Sequence, residues 1–311
     1  MKRLEEFRQY YNHTIHPELM RLERKRLRLL RLMLFSAIIL VGIILFEFYM
    51  NILVLTLVLS IPIGLYIFYI GYRIREFRLT FKPQVMNISL DFIDDRMTYD
   101  PEHPLVYDAK KKISKELFLE SQIFPKNMDV YSGEDYIVGR VGEMDFEMSE
   151  LNVKALSKVS SGYTQIFRGV FMHATFPEEA RGRVIIWPRY LRQHFTRSIK
   201  NFHWEGGINV DHEILNRDFK KAFLTYATED THLVSILSEP MQDAILRYRA
   251  QTQKDIFMSF QDREIYAAIS EDKDLLEPNI WRSNLNFPLI REFFEDIHLL
   301  LRIAEDFDQT H

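Results

Sequence analysis

The sequence predicts an α+β protein that begins with an N-terminal transmembrane helical hairpin, and three observations predict it. Residues 32–72 hold a single charge, Glu47, over 41 positions. Arginine and lysine crowd both sides of that band. From residue 83 onward, helical periodicity alternates with short strand-like runs bounded by turn residues.

The apolar band reads as two spans. Leu32–Phe46 is fifteen residues with Ser36 as its one polar side chain, and Phe48–Met50 extend it past Glu47. Ile52–Tyr72 adds 21 more, interrupted only by Thr56, Ser60, Pro62 and glycines. About 20 apolar residues cross roughly 30 Å of hydrocarbon as a helix. Spans are therefore expected at about 32–50 and 52–72, with Glu47 at headgroup depth, where its carboxylate stays wet. Pro62 is expected to kink the second span and Gly64 to ease its approach to the first. Runs this long and apolar on every face do not read as the buried hairpin of a soluble core. The late start, with no small-residue cleavage site after it, does not read as a signal peptide. The turn Glu47–Asn51 has no basic residue while both outer flanks do, so the positive-inside rule places both termini in the cytoplasm. Tyr49, Tyr66, Tyr69 and Tyr72 suit interfacial anchoring. Neither span has an ionisable residue near its middle, which favours an anchor over a transport path.

The formal charge of -4 conceals a partition. Residues 1–31 carry net +5, the band -1, residues 73–82 net +3, and residues 83–311 net -11. Residues 1–31 read as a basic juxtamembrane helix that runs into the first span. Its Arg21, Arg24, Lys25, Arg26, Arg28 and Arg31, with Arg73, Arg75 and Arg78 after the second span, form a basic collar at the membrane surface. Such residues are attracted to anionic lipid by about 1 kcal/mol each. An acidic body excludes nucleic acid as a partner. The absence of cysteine excludes a disulfide framework, thiolate metal sites and a cysteine nucleophile. With only 11 glycines, a glycine-rich nucleotide-binding architecture is disfavoured.

Residues 83–311 read as a cytosolic α+β region, either one domain or two subdomains at about 83–204 and 205–311. A helix is expected to leave the membrane over Lys82–Asp95 and to end by Pro101 and Pro104. Helical spacing returns at Ile113–Ile123. Antiparallel strands are expected at Asp129–Tyr131, Tyr136–Val141, Met144–Met148, Gln165–Thr175 and Arg183–Trp187, with a tight turn at Gly142-Glu143. Residues 190–206 are poorly patterned. A short helix and strand fit Asp218–Tyr226, helices broken at Pro240 fit Thr231–Gln251, and a hairpin fits Asp255–Ile269. Phe287–Phe307 closes the chain as an amphipathic helix.

The two basic-flanked spans are followed by Tyr131–Gly142, with Gly133, Glu134, Asp135, Gly139 and Gly142 at its turns, then Ser149-Glu150 and Phe167–Phe171. Phe219–Phe223, Asp230, Pro240-Met241 and Leu276-Glu277-Pro278 come later. This order resembles an uncharacterised family of bacterial membrane proteins defined by a domain of unknown function and often encoded near LemA-type membrane proteins. The resemblance covers nearly the whole chain. It implies a multi-pass protein of the bacterial inner membrane with a cytoplasmic domain, and a LemA-type protein as a possible partner. It supplies no activity, cofactor or catalytic residue.

Residues 203–212 (HWEGGINVDH) bring His203, Glu205, Asp211 and His212 together in sequence, but without cysteines or an H-E-x-x-H helix they read as a polar loop. The Gly133–Asp135 cluster lacks the lysine and hydroxyl of a phosphate-binding loop and reads as structural turns. Asp91, Asp94 and Asp95 read as a solvated helix end. No metal and no cofactor are expected. The expected function is a membrane-anchored binding or scaffolding protein presenting its cytosolic domain to protein partners or lipid headgroups. The alternative is a membrane-tethered hydrolase using carboxylates such as Glu134, Asp135 or Glu205, and a third option is transport through oligomerised hairpins.

Overall fold

A computed structural model describes residues 2–50, 53–94, 103–157, 161–176, 182–229, 231, 233–272 and 276–310. Asn51, Asp95, Pro101 and Asp230 lie outside the described residues. The chain forms two compact units. One comprises Met1–Phe92 with Leu276–Arg291, and the other Ile93–Leu275 with Glu292–His311.

The N-terminal unit is built on long helices. Helix α1 (Lys2–Tyr10) continues through a five-residue π stretch, Tyr11–Ile15, into α2 (His16–Met50), and α3 follows (Leu53–Ile93). The basic segment and the first apolar run are thus one continuous helix. Residues Glu5–Met50 are the one helix among the described residues long and apolar enough to cross a bilayer by length and composition. Along it, Ile15, Leu19, Leu22, Arg26, Leu29, Met33, Ser36, Leu40, Ile43 and Glu47 recur at alternating intervals of four and three, and all are buried or half-buried. Between residues 31 and 50 every other position is exposed. On α3 the same spacing links Ser60, Ile63, Ile67, Ile70, Ile74, Phe77 and Phe81. Alternating steps of three and four keep one stripe of a helix on a constant face, as the seam of paired helices requires.

This phase corrects the expectation for Glu47. Instead of staying wet, it is 3% exposed, and neither carboxylate oxygen has a hydrogen-bond partner among the described residues. Its neighbours Phe46, Phe48 and Tyr49 are exposed. The heptad position, rather than the distance from the helix end, decides which way it points.

The second unit is a nine-stranded antiparallel sheet with helices on it. Its strands are β1 (Val106–Asp108), β2 (Val130–Val141), β3 (Met144–Leu156), β4 (Tyr163–Thr175), β5 (Arg183–Pro188), β6 (Ile208–Asn209), β7 (Phe223–Ala227), β8 (Ile256–Gln261) and β9 (Glu264–Ser270), in the order β1-β2-β3-β4-β9-β8-β5-β7-β6. Strands from either side of residue 205 pair directly, β5 with β7 and β8, so one sheet crosses the boundary considered between two subdomains. Helices α4 (Lys115–Glu120) and α5 (Thr196–Trp204) bring Phe118, Phe202 and neighbouring residues onto an aromatic-rich core with Phe167, Phe171, Trp187, Tyr226 and Phe257. The alternate residues, among them Met148, Met172, Ile186, Met258 and Phe260, are buried as well. Such runs, buried on both faces, explain why the inner strands lack a clean alternation. Three short or medium helices, α6 (Arg217–Ala222), α7 (Leu233–Ile236) and α8 (Glu239–Thr252), precede β8, and α9 (Phe287–Thr310) ends the chain. As expected, two shorter helices, α7 and α8, occupy the stretch around Pro240, and the proline sits in the first turn of the second, with Ser238 as N-cap accepting from the Met241 amide.

Two predicted strands, 129–131 and 136–141, are one. The Gly133-Glu134-Asp135 sequence that reads as a turn is absorbed by a bulge between Glu134 and Ile137, with Asp135 at φ +57°. Gly142, at φ +58°, makes the expected tight turn into β3. Strand β3 runs on to Leu156, eight residues past the predicted end.

A buried charge cluster ties α9 to the sheet. Lys254, between α8 and β8, places its Nζ 2.8 Å from Asp296, 2.5 Å from Glu271 and 3.0 Å from Glu292. Asp296 is fully buried and also accepts a hydrogen bond from Tyr248. Burial opposes the Lys254 charge, but Asp296 and Glu271 outweigh it and hold the ammonium well above its ordinary range. Burial pushes Asp296 up to about 6, with Lys254 offsetting part of the effect. Removing the one cation of a buried group leaves its carboxylates uncompensated. Lys254→Met is expected to destabilise the protein by about 3–5 kcal/mol in denaturant unfolding. Glu292→Gln, on the solvent side of the cluster, is expected to cost under about 1 kcal/mol. Equal losses in the two variants contradict the assignment of Lys254 as the central charge.

Candidate functional site

The Glu134 bulge gathers acidic groups. Cross-strand register sets Glu134 opposite Glu150, and the extra residue of the bulge turns Asp135 toward them. One oxygen of each of Glu134, Asp135 and Glu150 lies within 4.8 Å of the others. Asp135 accepts a hydrogen bond of 2.6 Å from the Tyr107 hydroxyl, brought in on β1. Burial and the Asp135 charge push that hydroxyl far above its usual range. Gly133 admits no side chain, since a Cβ there falls 2.5 Å from the Glu150 carbonyl oxygen. Gly139 lies farther along β2, paired with Phe146. Among the described residues this trio is the group spaced to hold a hard divalent cation through oxygen ligands. Glu134, Asp135 and Glu150 also have further interactions within the protein, which gives the cluster a structural use.

A second charged group spans β3, β4 and β9. His173 pairs in register with Glu147 on one side and Tyr266 on the other. Its Nδ1 lies 3.3 Å from Glu147 and its Nε2 2.5 Å from Glu264, while its ring stacks on Tyr266. Tyr136 and Thr175 complete the carboxylates' hydrogen bonds. Burial works against the imidazolium, but the hydrogen bonds and charges of Glu147 and Glu264 outweigh it and push His173 up to about 9. The same hydrogen bonds hold both carboxylates below their ordinary range. With both ring nitrogens engaged, His173 is a charged clasp rather than an open general base. Glu264 and Tyr266 also face an open cleft of about 780 Å³, whose other polar walls are Glu120, Gln122, Lys126, Gln261, Asp262 and Arg263. That lining offers donors, acceptors and both signs of charge to a polar partner.

The predicted site residues are otherwise dispersed. In the collar, Arg21, Arg24, Lys25, Arg28, Arg31, Arg75 and Arg78 are exposed, and Arg73 is half-buried and paired with Glu76. Arg26 is corrected: it is buried in a bidentate pair with Glu23 and is not available to lipid. The helical phase explains this, because Arg26 occupies the inward row. The acidic and histidine residues of 203–212 have separate partners. Glu205 binds Arg183 at 2.8 Å, Asp211 binds Arg189 at 2.6 Å and caps the Thr225 amide, and His203 contacts the Gly207 carbonyl. His212 is exposed. Asp91 and Asp94, near the end of α3, have other partners, and Asp95 is outside the described residues. Glu147, His173, Glu264 and Lys254 were not singled out by sequence. Their grouping depends on strand register between segments tens of residues apart, for which no local spacing exists.

His173 yields a pH prediction. Its folded pKa is raised, so its contribution is complete below about 6.5, the ordinary histidine value, and is lost as the pH rises through about 9. Stability is expected to fall by roughly 2–3 kcal/mol across that window. In His173→Gln the slope is expected to flatten. An unchanged slope in denaturant melts at stepped pH contradicts the clasp.

Comparison with known proteins adds the following. Residues 165–309 match the model of a family described as a protein of unknown function (DUF3137), which spans a little under half of the chain. No curated protein matches the chain. Among solved structures, the mycobacterial trehalose monomycolate transport factor A, TtfA, is similar at 8% identity with a TM-score of 0.32, over 66% of this chain and 88% of that chain. At that score the likeness carries no argument about function. Residues 165–309 thus constitute a domain of unknown function, which takes in β4 through α9.

Proposed function

We propose that the chain is an inner-membrane-anchored binding protein. Its two spans, 32–50 and 52–72, form a hairpin with both termini in the cytoplasm, and the α+β unit is presented to protein partners or lipid headgroups. The observation that carries this reading is the surface of α2. Leu34, Phe35, Ile38, Ile39, Val41, Ile44, Leu45, Phe46, Phe48 and Tyr49 are all exposed on one helix, directly after a turn-by-turn array of exposed arginines. A contiguous apolar surface of this extent is untenable in water and is the normal surface of a lipid-facing helix. The apolar run continues on α3, where Ile61, Leu65, Tyr66, Phe68 and Tyr69 are exposed.

Within the α+β unit, the charged groups favour binding over catalysis. Glu205, a member of the hydrolase alternative, is committed to Arg183 and Gln122. His173 has no open nitrogen. The cleft beside Glu264 has the mixed polarity of a recognition surface. A LemA-type protein enters as a candidate partner through the family resemblance.

Reporter fusions at both termini are expected to read cytoplasmic, and the chain is expected to stay with membranes through alkaline extraction. An external signal at either terminus, or release by alkali, contradicts the anchor. Affinity capture from gently solubilised membranes is expected to recover a stoichiometric protein partner or bound anionic lipid. Repeated recovery of the bare chain contradicts the binding role.

A further inference from the structure

The loop Asn279–Asn284 belongs to the N-terminal unit and is held there unusually firmly. Arg26 on α2 is clamped by Glu23 through two hydrogen bonds of 2.9 and 2.7 Å, and its remaining nitrogen donates to the Ile280 carbonyl at 2.5 Å. Glu23 also accepts from the Asn284 amide. Within the loop, the Asn284 side chain accepts from the Asn279 amide at 2.8 Å and donates to the Asn279 carbonyl at 3.1 Å. The Asn279 side chain further accepts from the amides of Trp281 and Arg282. On α3, Lys82 pairs with Glu277 just before the loop. The loop backbone is therefore fixed against the juxtamembrane helix by buried, charge-assisted bonds.

At the tip of this fixed loop stand two side chains that the unit leaves in solvent. Trp281 is 63% exposed and Arg282 is exposed beside it. A large indole held outside by a rigid loop has no packing role in the unit, and its position along α2 supplies one elsewhere. Ile280 is bound at Arg26, six residues before Leu32, where the apolar band begins. At 1.5 Å per helical residue that separation is about 9 Å. The headgroup layer on each side of a bilayer is roughly 5–8 Å deep. The loop's anchor thus lies just outside that layer, within reach of a tryptophan side chain and at the depth along α2 of the exposed Arg24, Lys25, Arg28 and Arg31, which stand on its other faces. Tryptophan favours this interface because its ring is apolar and its N–H is polar. The exposed cations at this depth match an anionic leaflet.

We propose that Trp281 and Arg282 form a membrane-contact point that inserts into the headgroup layer of an anionic leaflet, with Arg26 and Glu23 as positioning residues. This rests on the bilayer anchor described above. It adds a specific lipid contact contributed by a segment about 210 residues beyond the second span in sequence. The loop sets the depth and tilt of the juxtamembrane helices, and binding acidic lipid holds the N-terminal unit close to the surface.

Tryptophan fluorescence in reconstituted vesicles tests this. Trp187 is fully buried and Trp204 is removed by Trp204→Phe, so the difference between that chain and the same chain with Trp281→Phe isolates Trp281. In vesicles of phosphatidylcholine and phosphatidylglycerol, lipids brominated near the carboxyl end of the acyl chain are expected to quench this difference signal. Bromines near the methyl end are expected to quench it less. Replacing phosphatidylglycerol by phosphatidylcholine is expected to weaken the quenching about twofold. A Phe48→Trp reporter in the apolar band serves as the internal reference. Quenching of that reporter without quenching of Trp281 overturns the contact point and leaves the anchor standing. Quenching of neither overturns both. Quenching of Trp281 that is independent of lipid charge overturns the anionic specificity.

Discussion

A row of side chains spaced alternately four and three residues apart, from Ile15 to Glu47, keeps one face of α2 turned inward along its whole described length. The phase does not change where the sequence passes from arginine-rich to wholly apolar. That single constraint sorts the residues of the N-terminal unit. It turns Arg26 in toward Glu23 and the Ile280 carbonyl, and it turns Arg24, Lys25, Arg28 and Arg31 out. Two turns farther on it turns Phe35 and Ile38 out, and at the far end it hides Glu47.

The same economy recurs in the buried charges. Arg26 with Glu23, Lys254 with Asp296 and Glu271, and His173 with Glu147 and Glu264 each neutralise a charge removed from water. Such groups are costly to bury and costlier to leave unpaired, so each fixes the arrangement of the segments that supply its members. Arg26 fixes a loop to a helix more than 250 residues away, Lys254 fixes α9 to the start of β8, and His173 fixes three adjacent strands. In each group the buried cation is held by carboxylates of the protein itself. The proposed binding role therefore looks to the exposed surfaces, the cleft beside Glu264 and the tip at Trp281.

Much of the architecture was legible in the chain. The apolar run from Leu32 and its arginine flank mark the long helix. Gly142-Glu143 and Gln261–Arg263 mark hairpins, and the hydrophobic stripe from Leu289 to Ile303 marks the last helix. The failures have physical causes. Inside an apolar run the inward and outward faces have the same chemistry, so the phase that buries Ser36 and Glu47 leaves no contrast to read. The heptad is visible only upstream, where Leu19, Leu22 and Leu29 stand against arginines. Gly133–Asp135 has the composition of a turn, and only pairing with β3 reveals a bulge that sets Glu134 against Glu150. Nothing in the local sequence separates Trp281 from the core aromatics; its exposure follows from a loop fastened by Arg26.

The proposed anchor requires that one face of α2 packs within the protein while the rest faces lipid above Leu32 and water below it. The chain has no cysteine, so single cysteines can be placed and spin-labelled one at a time. Power-saturation measurements on reconstituted protein should show lipid-soluble oxygen reaching labels at Phe35, Ile38 and Leu45, and a water-soluble nickel complex reaching labels at Arg24 and Arg28. Labels at Leu40 and Ile43 should be shielded from both. Nickel access at Phe35, Ile38 and Leu45 would contradict the account.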